Sequence, residues 1–333
     1  MSVNKSNLVK NIFFVIGIAV ILIMIHSIGF DAIYQNLRET GWWFAAIIGV
    51  WVFVYLINAL SFHAIIRDGS EEAGRISFWR TLKLVISGYA INYTTPVGIL
   101  GGEPYRILEL KPALGAKKAT SAVLLYAMMH FVSHLILWLL AVPLLVLTVP
   151  SVSKPVAIVL WCVLGGSVLL IIWAFRVYKT GLIKRAISIG KRIPFLRKRM
   201  LKIQAEKHEQ IEELDGLISH LYNNRRRAFF FSLCMETLSR LVGCLEVFFM
   251  IYPVGYAIDY IQCVIIVAFA SLFANILFFS PMQLGTREGG YAIALKILAI
   301  PSGLGIYVSL CTRIRELFWI MVGILIMKYK SLK

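Results

Sequence analysis

Two short segments, TPVGILGGE (residues 95–103) and SPMQLGTRE (residues 280–288), share one pattern and decide how this chain is folded. Each has a hydroxyl residue followed by proline, then glycine, then a glutamate seven positions after the proline. Pro96 and Pro281 cannot lie inside a regular helix because proline lacks the backbone N–H, and glycines such as Gly285 permit a tight turn. The pattern therefore predicts a structural helix break in each half of the chain.

The composition indicates that both breaks lie in a membrane protein. Of the 333 residues, 59% are apolar and only 15% are charged, and a soluble domain of this size could not bury so much apolar surface. We therefore predict an all-α polytopic protein with a single integral membrane domain over residues 1–333. Its apolar runs predict six spanning helices, at residues 11–29, 41–66, 119–149, 156–175, 228–252 and 303–327.

Broken helices have a restricted use in membranes. Irregular backbone at membrane depth is tolerated where protein covers it or where it lines a wet cavity. A pair of such breaks in corresponding positions of two halves is typical of a transporter binding site. The alternative is that both segments are ordinary loops between spanning helices.

The positive charges favour re-entrant hairpins. The net charge is +17, and residues 176–227 hold fourteen Lys and Arg against five acids, which predicts a cytoplasmic loop. If residues 78–112 crossed the membrane fully, Lys111, Lys118 and this basic loop would lie outside. A hairpin over 78–112 that returns to the cytoplasm, and a second hairpin over 257–300 that returns to the outside, remove the conflict. The two hairpins would form an inverted repeat, with both chain termini in the cytoplasm.

The predicted binding site consists of Gly101 and five ionisable residues, which belong to a larger set of ionisable groups at membrane depth that also includes Glu236, Arg240, Glu246, Arg315 and Glu316. Glu103 and Arg106 follow the first break one helical turn apart, Arg287 and Glu288 follow the second, and Arg313 lies inside the last span. A charge at membrane depth costs about 2.5–3.5 kcal/mol on insertion scales, so such groups face a cavity or a partner. Because the guanidinium fork pairs with phosphate, a phosphate headgroup is a suitable ligand. Alternatively, the charges pair only with one another and hold the helices together.

Two weaker signals lie elsewhere. His130 and His134 are four residues apart on one helix face and could share a metal, although a hydrogen-bonded interior pair without metal is favoured. The Lys and Arg residues at 184–202 suit an anionic membrane surface, or they only determine topology. The sequence contains no nucleotide-binding motif and predicts no cofactor and no nucleic-acid partner. The central loop is expected to contain one surface helix over 201–221.

Both broken segments resemble a known family. Residues 95–106, followed by 115–125, are similar to the first signature of the lysylphosphatidylglycerol synthase transmembrane region, also called the flippase-like domain family. Residues 280–290, with Arg313 and Arg315, are similar to the second signature. The resemblance implies an inner-membrane protein with two re-entrant segments around a lipid-accessible cavity. The residues that match the family motifs are Gly101, Glu103, Arg106, Pro281, Gly285, Arg287 and Glu288.

The resemblance is not complete. The family commonly places Arg and Asp on the helix after the first motif, where this chain has His130 and His134. Leu284-Gly285 also replaces the usual Gly-Gly of the second motif. These differences bear on the identity of the lipid.

The functional expectation is a translocator for an anionic or glycosylated phospholipid in the cytoplasmic membrane, and not an enzyme. The sequence ends at Lys333, before any aminoacyltransferase domain, so we expect no synthase activity. The alternatives are a membrane enzyme or enzyme subunit that uses Glu103, Glu288 or the His130 and His134 pair, and a scaffold for a partner synthase. The sequence predicts no oligomeric state.

Overall fold

The computed structural model describes residues 22–23, 26, 29–67, 69–94, 101–149, 154–276 and 286–328. Within these residues the chain is helical and contains no strand, which confirms the predicted all-α class. Most of the predicted first span, 11–29, lies outside the described residues, as do Pro96, Pro281 and Gly285.

In chain order the helices are α1 (Phe30–Thr40), α2 (Trp43–Ile66), α3 (Glu71–Gly74), α4 (Phe78–Thr94), α5 (Gly102–Thr148), α6 (Lys154–Thr180), α7 (Leu182–Gly190), α8 (Pro194–Glu206), α9 (His208–Asn224), α10 (Arg226–Gly243), α11 (Leu245–Ile251), α12 (Tyr260–Ile276), α13 (Thr286–Ile297) and α14 (Leu304–Lys328). A short 3₁₀ turn, Tyr252–Val254, follows α11.

Four helical segments are long and apolar enough to cross a membrane: Trp43–Ile66, Gly102–Thr148, Ala157–Tyr178 and Arg226–Val254. They coincide with the predicted spans at 41–66, 119–149, 156–175 and 228–252. Tyr260–Asn275 is a shorter apolar helix. Helix α14 covers the last predicted span, 303–327, but carries three charged residues, Arg313, Arg315 and Glu316, at its middle and is not one of the four.

Helix α5 is divided by a kink. Gly115 has φ 75° and ψ 163°, a conformation that interrupts the helical hydrogen bonds and that glycine adopts without steric cost. Pro112, just before it, also lacks a backbone N–H. The chain therefore forms a short first arm, residues 102–114, and then turns into the long apolar segment 116–148.

The first arm of α5 packs antiparallel against α4. Asn92, near the end of α4, accepts a hydrogen bond from the Gly102 backbone N–H at 2.6 Å, and Arg80, near its start, donates to the Glu109 carbonyl at 3.0 Å. At their closest point, a Cβ on Gly102 would lie 2.3 Å from the Gly88 carbonyl oxygen. The two segments thus form a helical hairpin around the first break.

A second pair of helices flanks the second break. Helices α12 and α13 pack closely, and a Cβ on Gly290 would lie only 2.8 Å from the Ala270 Cα. Helix α14 packs against α13 on one side and against α4 on the other. The charged middle of α14 consequently lies between the helices of the two breaks.

The central segment forms a helical group of its own. The expectation of one helix over 201–221 is wrong: Lys207 has φ −127° and ψ 25°, so the chain breaks there into α8 and α9. Asp215 of α9 accepts hydrogen bonds from the backbone N–H groups of Ile183 (2.7 Å) and Lys184 (3.0 Å) and caps α7. On the exposed face, the hydrogen bond from Lys184 lowers the pKa of the Glu212 carboxyl.

Candidate functional site

The first pair of site residues follows the first break. Glu103 and Arg106 lie one turn apart in the first arm of α5, and Arg106 Nη1 donates to Glu103 Oε1 at 3.1 Å. Both side chains are buried. Arg106 also donates to the carbonyl oxygen of Leu84 on α4 and lies over the Tyr126 ring, 5.3 Å from its centroid.

A glycine on the neighbouring helix makes room for this arginine. A Cβ on Gly88 would lie 2.4 Å from Arg106 Nε, a distance that no real contact allows. The predicted site residue Gly101 has ordinary right-handed helical angles before α5, and the close backbone contact is made by Gly102 instead. Gly88 on α4 and Gly102 on α5 therefore let the two helices approach closely enough for Arg106 to reach α4.

The second pair joins α13 to α14. Arg313 donates to Glu288 Oε1 from both Nη2 (2.6 Å) and Nε (3.2 Å), and Ser309 donates to the same oxygen at 2.8 Å. One turn of α14 beyond Arg313, Glu316 accepts a charge-assisted hydrogen bond from Arg287. All the charged residues predicted at the second break therefore contact the middle of α14.

A fourth pair, Arg315 with Glu246, lies outside the residues predicted to contact the ligand, although both residues belong to the larger set of ionisable groups predicted at membrane depth. Arg315 Nη2 lies 3.2 Å from Glu246 Oε2 on α11, and Arg315 Nη1 donates to the Tyr89 hydroxyl on α4 at 2.8 Å. The Arg315 guanidinium carbon lies 3.8 Å from the centre of the Trp51 ring, and Trp51 Nε1 donates to Glu246 at 2.6 Å. A signal for Trp51 existed in the sequence: it lies in the middle of a span, whereas tryptophan is enriched at membrane interfaces.

The predicted site residues fall into two groups. Arg106 bonds to α4 at Leu84 and Val85, whereas Tyr89 on the same helix bonds to Arg315 of the α14 group. Helix α4 thus contacts both groups and lies between them. The site predicted from the sequence is an extended chain of ion pairs around α4 and α14.

The predicted histidine pair lies in a polar cluster between α5 and α10. His130 Nδ1 is 2.9 Å from Glu236 Oε2 on α10, and the rings of His130 and His134 are 5.6 Å apart. Arg240 donates to the Ser133 hydroxyl at 2.5 Å and to the His130 carbonyl at 3.0 Å. Within the described part of the chain, no group of three His, Cys, Asp or Glu side chains could hold a metal ion.

The family model of the lysylphosphatidylglycerol synthase TM region matches residues 12–324. The chain belongs to this family. It is a multi-pass membrane protein, and the match covers nearly its whole length. Comparison with curated proteins and with solved structures found no match in either case.

In the described part of this family member, several buried polar atoms have no hydrogen-bond partner. Among the described residues, they include Oε2 of Glu103 and Glu288, Oε1 of Glu236, and Nε of Arg315. A buried polar group that makes no hydrogen bond costs about 1–3 kcal/mol. These atoms are therefore positions at which a bound ligand could add a hydrogen bond.

Proposed function

We propose that this protein binds a phosphate-bearing lipid between the helices of its two breaks and moves it across the membrane. The observation that carries the proposal is the set of buried Arg–Glu pairs around α4 and α14: Glu103–Arg106, Arg287–Glu316, Glu288–Arg313 and Glu246–Arg315. So many charges inside a membrane protein mark a pathway or a site.

A phosphate group fits these pairs because it can replace the carboxylate as the partner of the arginine. A guanidinium offers the same planar fork to a phosphate as to a carboxylate. A lipid phosphate can therefore take a glutamate's place on Arg106, Arg287 or Arg313 without leaving the arginine unpaired. Each arginine then remains paired with an anion while a headgroup passes the middle of the membrane.

The carboxylate oxygens without hydrogen-bond partners favour a headgroup that also carries hydrogen-bond donors. The Oε2 atoms of Glu103 and Glu288 can each accept a hydrogen bond, and no group among the described residues donates one to them. A glycosyl or glycerol headgroup provides hydroxyl donors next to its phosphate, so an anionic or glycosylated phospholipid suits both kinds of group.

Helix lengths support the re-entrant arrangement. At about 1.5 Å per residue, the arm 102–114 is about 20 Å long and the twelve residues of α13 about 18 Å, against about 30 Å of hydrocarbon. Neither segment can cross the membrane alone. The antiparallel contacts between α4 and the first arm of α5 favour a hairpin that enters and leaves on one side.

The basic central helices support the orientation in which they face the cytoplasm. In this proposal α7 and α8, with their Lys and Arg residues, contact the anionic surface of the cytoplasmic membrane, and both chain termini lie in the cytoplasm. No chemical change of the lipid is part of the proposal. If the transported lipid has a modified headgroup, a partner synthase supplies that modification.

A reconstitution assay tests the proposal. Purified protein is placed in vesicles that carry a headgroup-labelled fluorescent phospholipid, and a membrane-impermeant reductant bleaches the label in the outer leaflet. We expect the inner-leaflet label to become accessible faster than in protein-free vesicles, and more slowly with Arg313→Gln. Equal rates with and without protein would contradict translocation. Mass spectrometry of the same lipids before and after incubation would reveal a changed headgroup if the protein were an enzyme.

A further inference from the structure

The glutamates inside the helix bundle differ in their partners. Glu103, Glu246, Glu288 and Glu316 each pair with an arginine, whose charge is permanent. Glu236 pairs with His130, at 2.9 Å, and histidine changes its charge near neutral pH. Arg240 is one turn away on the same helix, but its guanidinium donates to Ser133 and to the His130 carbonyl.

The two members of this pair differ in exposure. The Glu236 side chain is fully buried, at 0%, whereas 49% of the His130 side chain is exposed. Both residues belong to segments that are long and apolar enough to span the membrane. Polar side chains at such positions face a cavity more often than lipid, so we expect water to reach the imidazole. The pair therefore connects the exterior of the bundle to a carboxylate in its interior.

The carboxylate also has capacity for a proton. Glu236 Oε1 is buried without a hydrogen-bond partner in the described structure, and the same holds for Nδ1 of His134 on the next turn of α5. The remaining charged or titratable groups close to His130 are Arg240 from α10 and Arg106 and Tyr126 from α5. Among the described residues, none of them forms a direct ion pair with Glu236.

We propose that His130 and Glu236 form a proton-binding site that couples lipid translocation to a proton gradient. The coupling rests on the proposed function, whereas the proton site itself does not. A proton from water binds Nε2 of His130, whose Nδ1–H already donates to Glu236 Oε2. Transfer of the Nδ1 proton to Oε2 then leaves a neutral imidazole and a neutral carboxylic acid. One proton enters and one leaves in each cycle, and the charge of the pair alternates between −1 and zero.

Protonation of the pair affects the neighbouring Arg240. Loss of the Glu236 negative charge removes a carboxylate whose charge acts on Arg240 from one helical turn away, and so strengthens the attraction of that guanidinium for another anion. A lipid phosphate that reaches Arg240 would provide that anion. Protonation and lipid binding would thereby favour one another.

The test uses the reconstituted protein with a pH gradient imposed in either direction. We expect the translocation rate of the wild type to depend on the direction of the gradient, and Glu236→Gln and His130→Gln to lose this dependence. The matched control is His208→Gln, because His208 pairs with Glu212 at 3.9 Å on exposed helix α9. A wild-type rate that is equal for both directions, or a Glu236→Gln variant that retains the dependence, would overturn the proposal.

A spectroscopic measurement separates this proposal from the failure of translocation. Infrared difference spectra of the purified protein, taken between about pH 5 and pH 8, detect the C=O stretch of a carboxylic acid. We expect a band that is absent from Glu236→Gln and present in His208→Gln. If the protein moves no lipid but the band appears, the proton-binding site is supported and its coupling to translocation is refuted. If the band does not change in Glu236→Gln, the site is refuted.

Discussion

The guanidinium of Arg315 lies over the indole ring of Trp51, with its central carbon 3.8 Å from the ring centre. The same indole donates its N–H to Glu246, the carboxylate that pairs with Arg315. One side chain of α2 thus contacts both members of a buried ion pair formed by α11 and α14. Desolvated cation–π contacts contribute about 2 kcal/mol, so Trp51 is expected to stabilise the packing of three helices.

Two substitutions at Trp51 separate its contributions. Trp51→Phe keeps an aromatic face but removes the donor to Glu246, and we expect a loss of about 1.5–3 kcal/mol in the free energy of unfolding. Trp51→Leu also removes the cation–π contact and should cost about 1–2 kcal/mol more. Unfolding in detergent measures both. The exposed Trp161 provides the control Trp161→Phe, and equal stability of Trp51→Phe and wild type would contradict the prediction.

The pair Glu103–Arg106 predicts a non-additive double mutant. Arg106→Met leaves a buried carboxylate uncompensated, which costs about 3–5 kcal/mol when a partner is removed from a buried pair. Glu103→Gln together with Arg106→Met should cost less than Arg106→Met alone. Thermal unfolding of the two single variants and the double variant gives the coupling energy. If the two effects simply add, the pair does not stabilise the bundle.

Helix α4 needs a residue without a side chain opposite Arg106. Gly88→Ala should force the guanidinium out of its position and cost about 1–3 kcal/mol, the usual range for overpacking. Retention of co-purified lipid, measured by mass spectrometry, should fall as well. Gly49→Ala is the matched control because its added Cβ would meet no atom within 4 Å. Because alanine has a higher helix propensity than glycine, Gly49→Ala should cause no loss, and equal losses in both variants would show that contact with Arg106 is not responsible.

Asp215 is expected to order the central helices. Asp215→Ala removes the acceptor for the first backbone N–H groups of α7 and should cost about 0.5–2 kcal/mol. Hydrogen exchange should accelerate at Ile183 and Lys184. The control Glu209→Ala changes an exposed acid on the same helix as Asp215. If hydrogen exchange at Ile183 and Lys184 accelerates equally in this control, the capping role is contradicted.

Labelling from each side of the membrane tests the orientation. The exposed cysteines Cys162 and Cys234 are first replaced by serine, and single cysteines are introduced as Lys117→Cys and Tyr256→Cys. With the first hairpin re-entrant from the cytoplasm, an impermeant reagent outside the cell should label position 256 and not position 117. Labelling of position 117 from outside would refute the re-entrant arrangement.

The sequence predicted some parts of the candidate site better than others. Glu103 and Arg106 are three residues apart, so the geometry of one helix already places them side by side. Trp51 and Glu246 are 195 residues apart, and no local rule connects them. The single helix expected over 201–221 was wrong because the periodicity continues through Lys207, whose backbone leaves the helical conformation.

The sequence by itself determined the class of the protein. Its apolar content requires a membrane, its proline and glycine segments predict the two breaks, and its charge distribution predicts which loops face the cytoplasm. Only the tertiary structure decided which carboxylate neutralises which arginine. Arg315 pairs with Glu246 and His130 with Glu236 because α11 lies against α14 and α10 against α5. Such pairing depends on helix packing over long sequence separations, which hydrophobic periodicity does not encode.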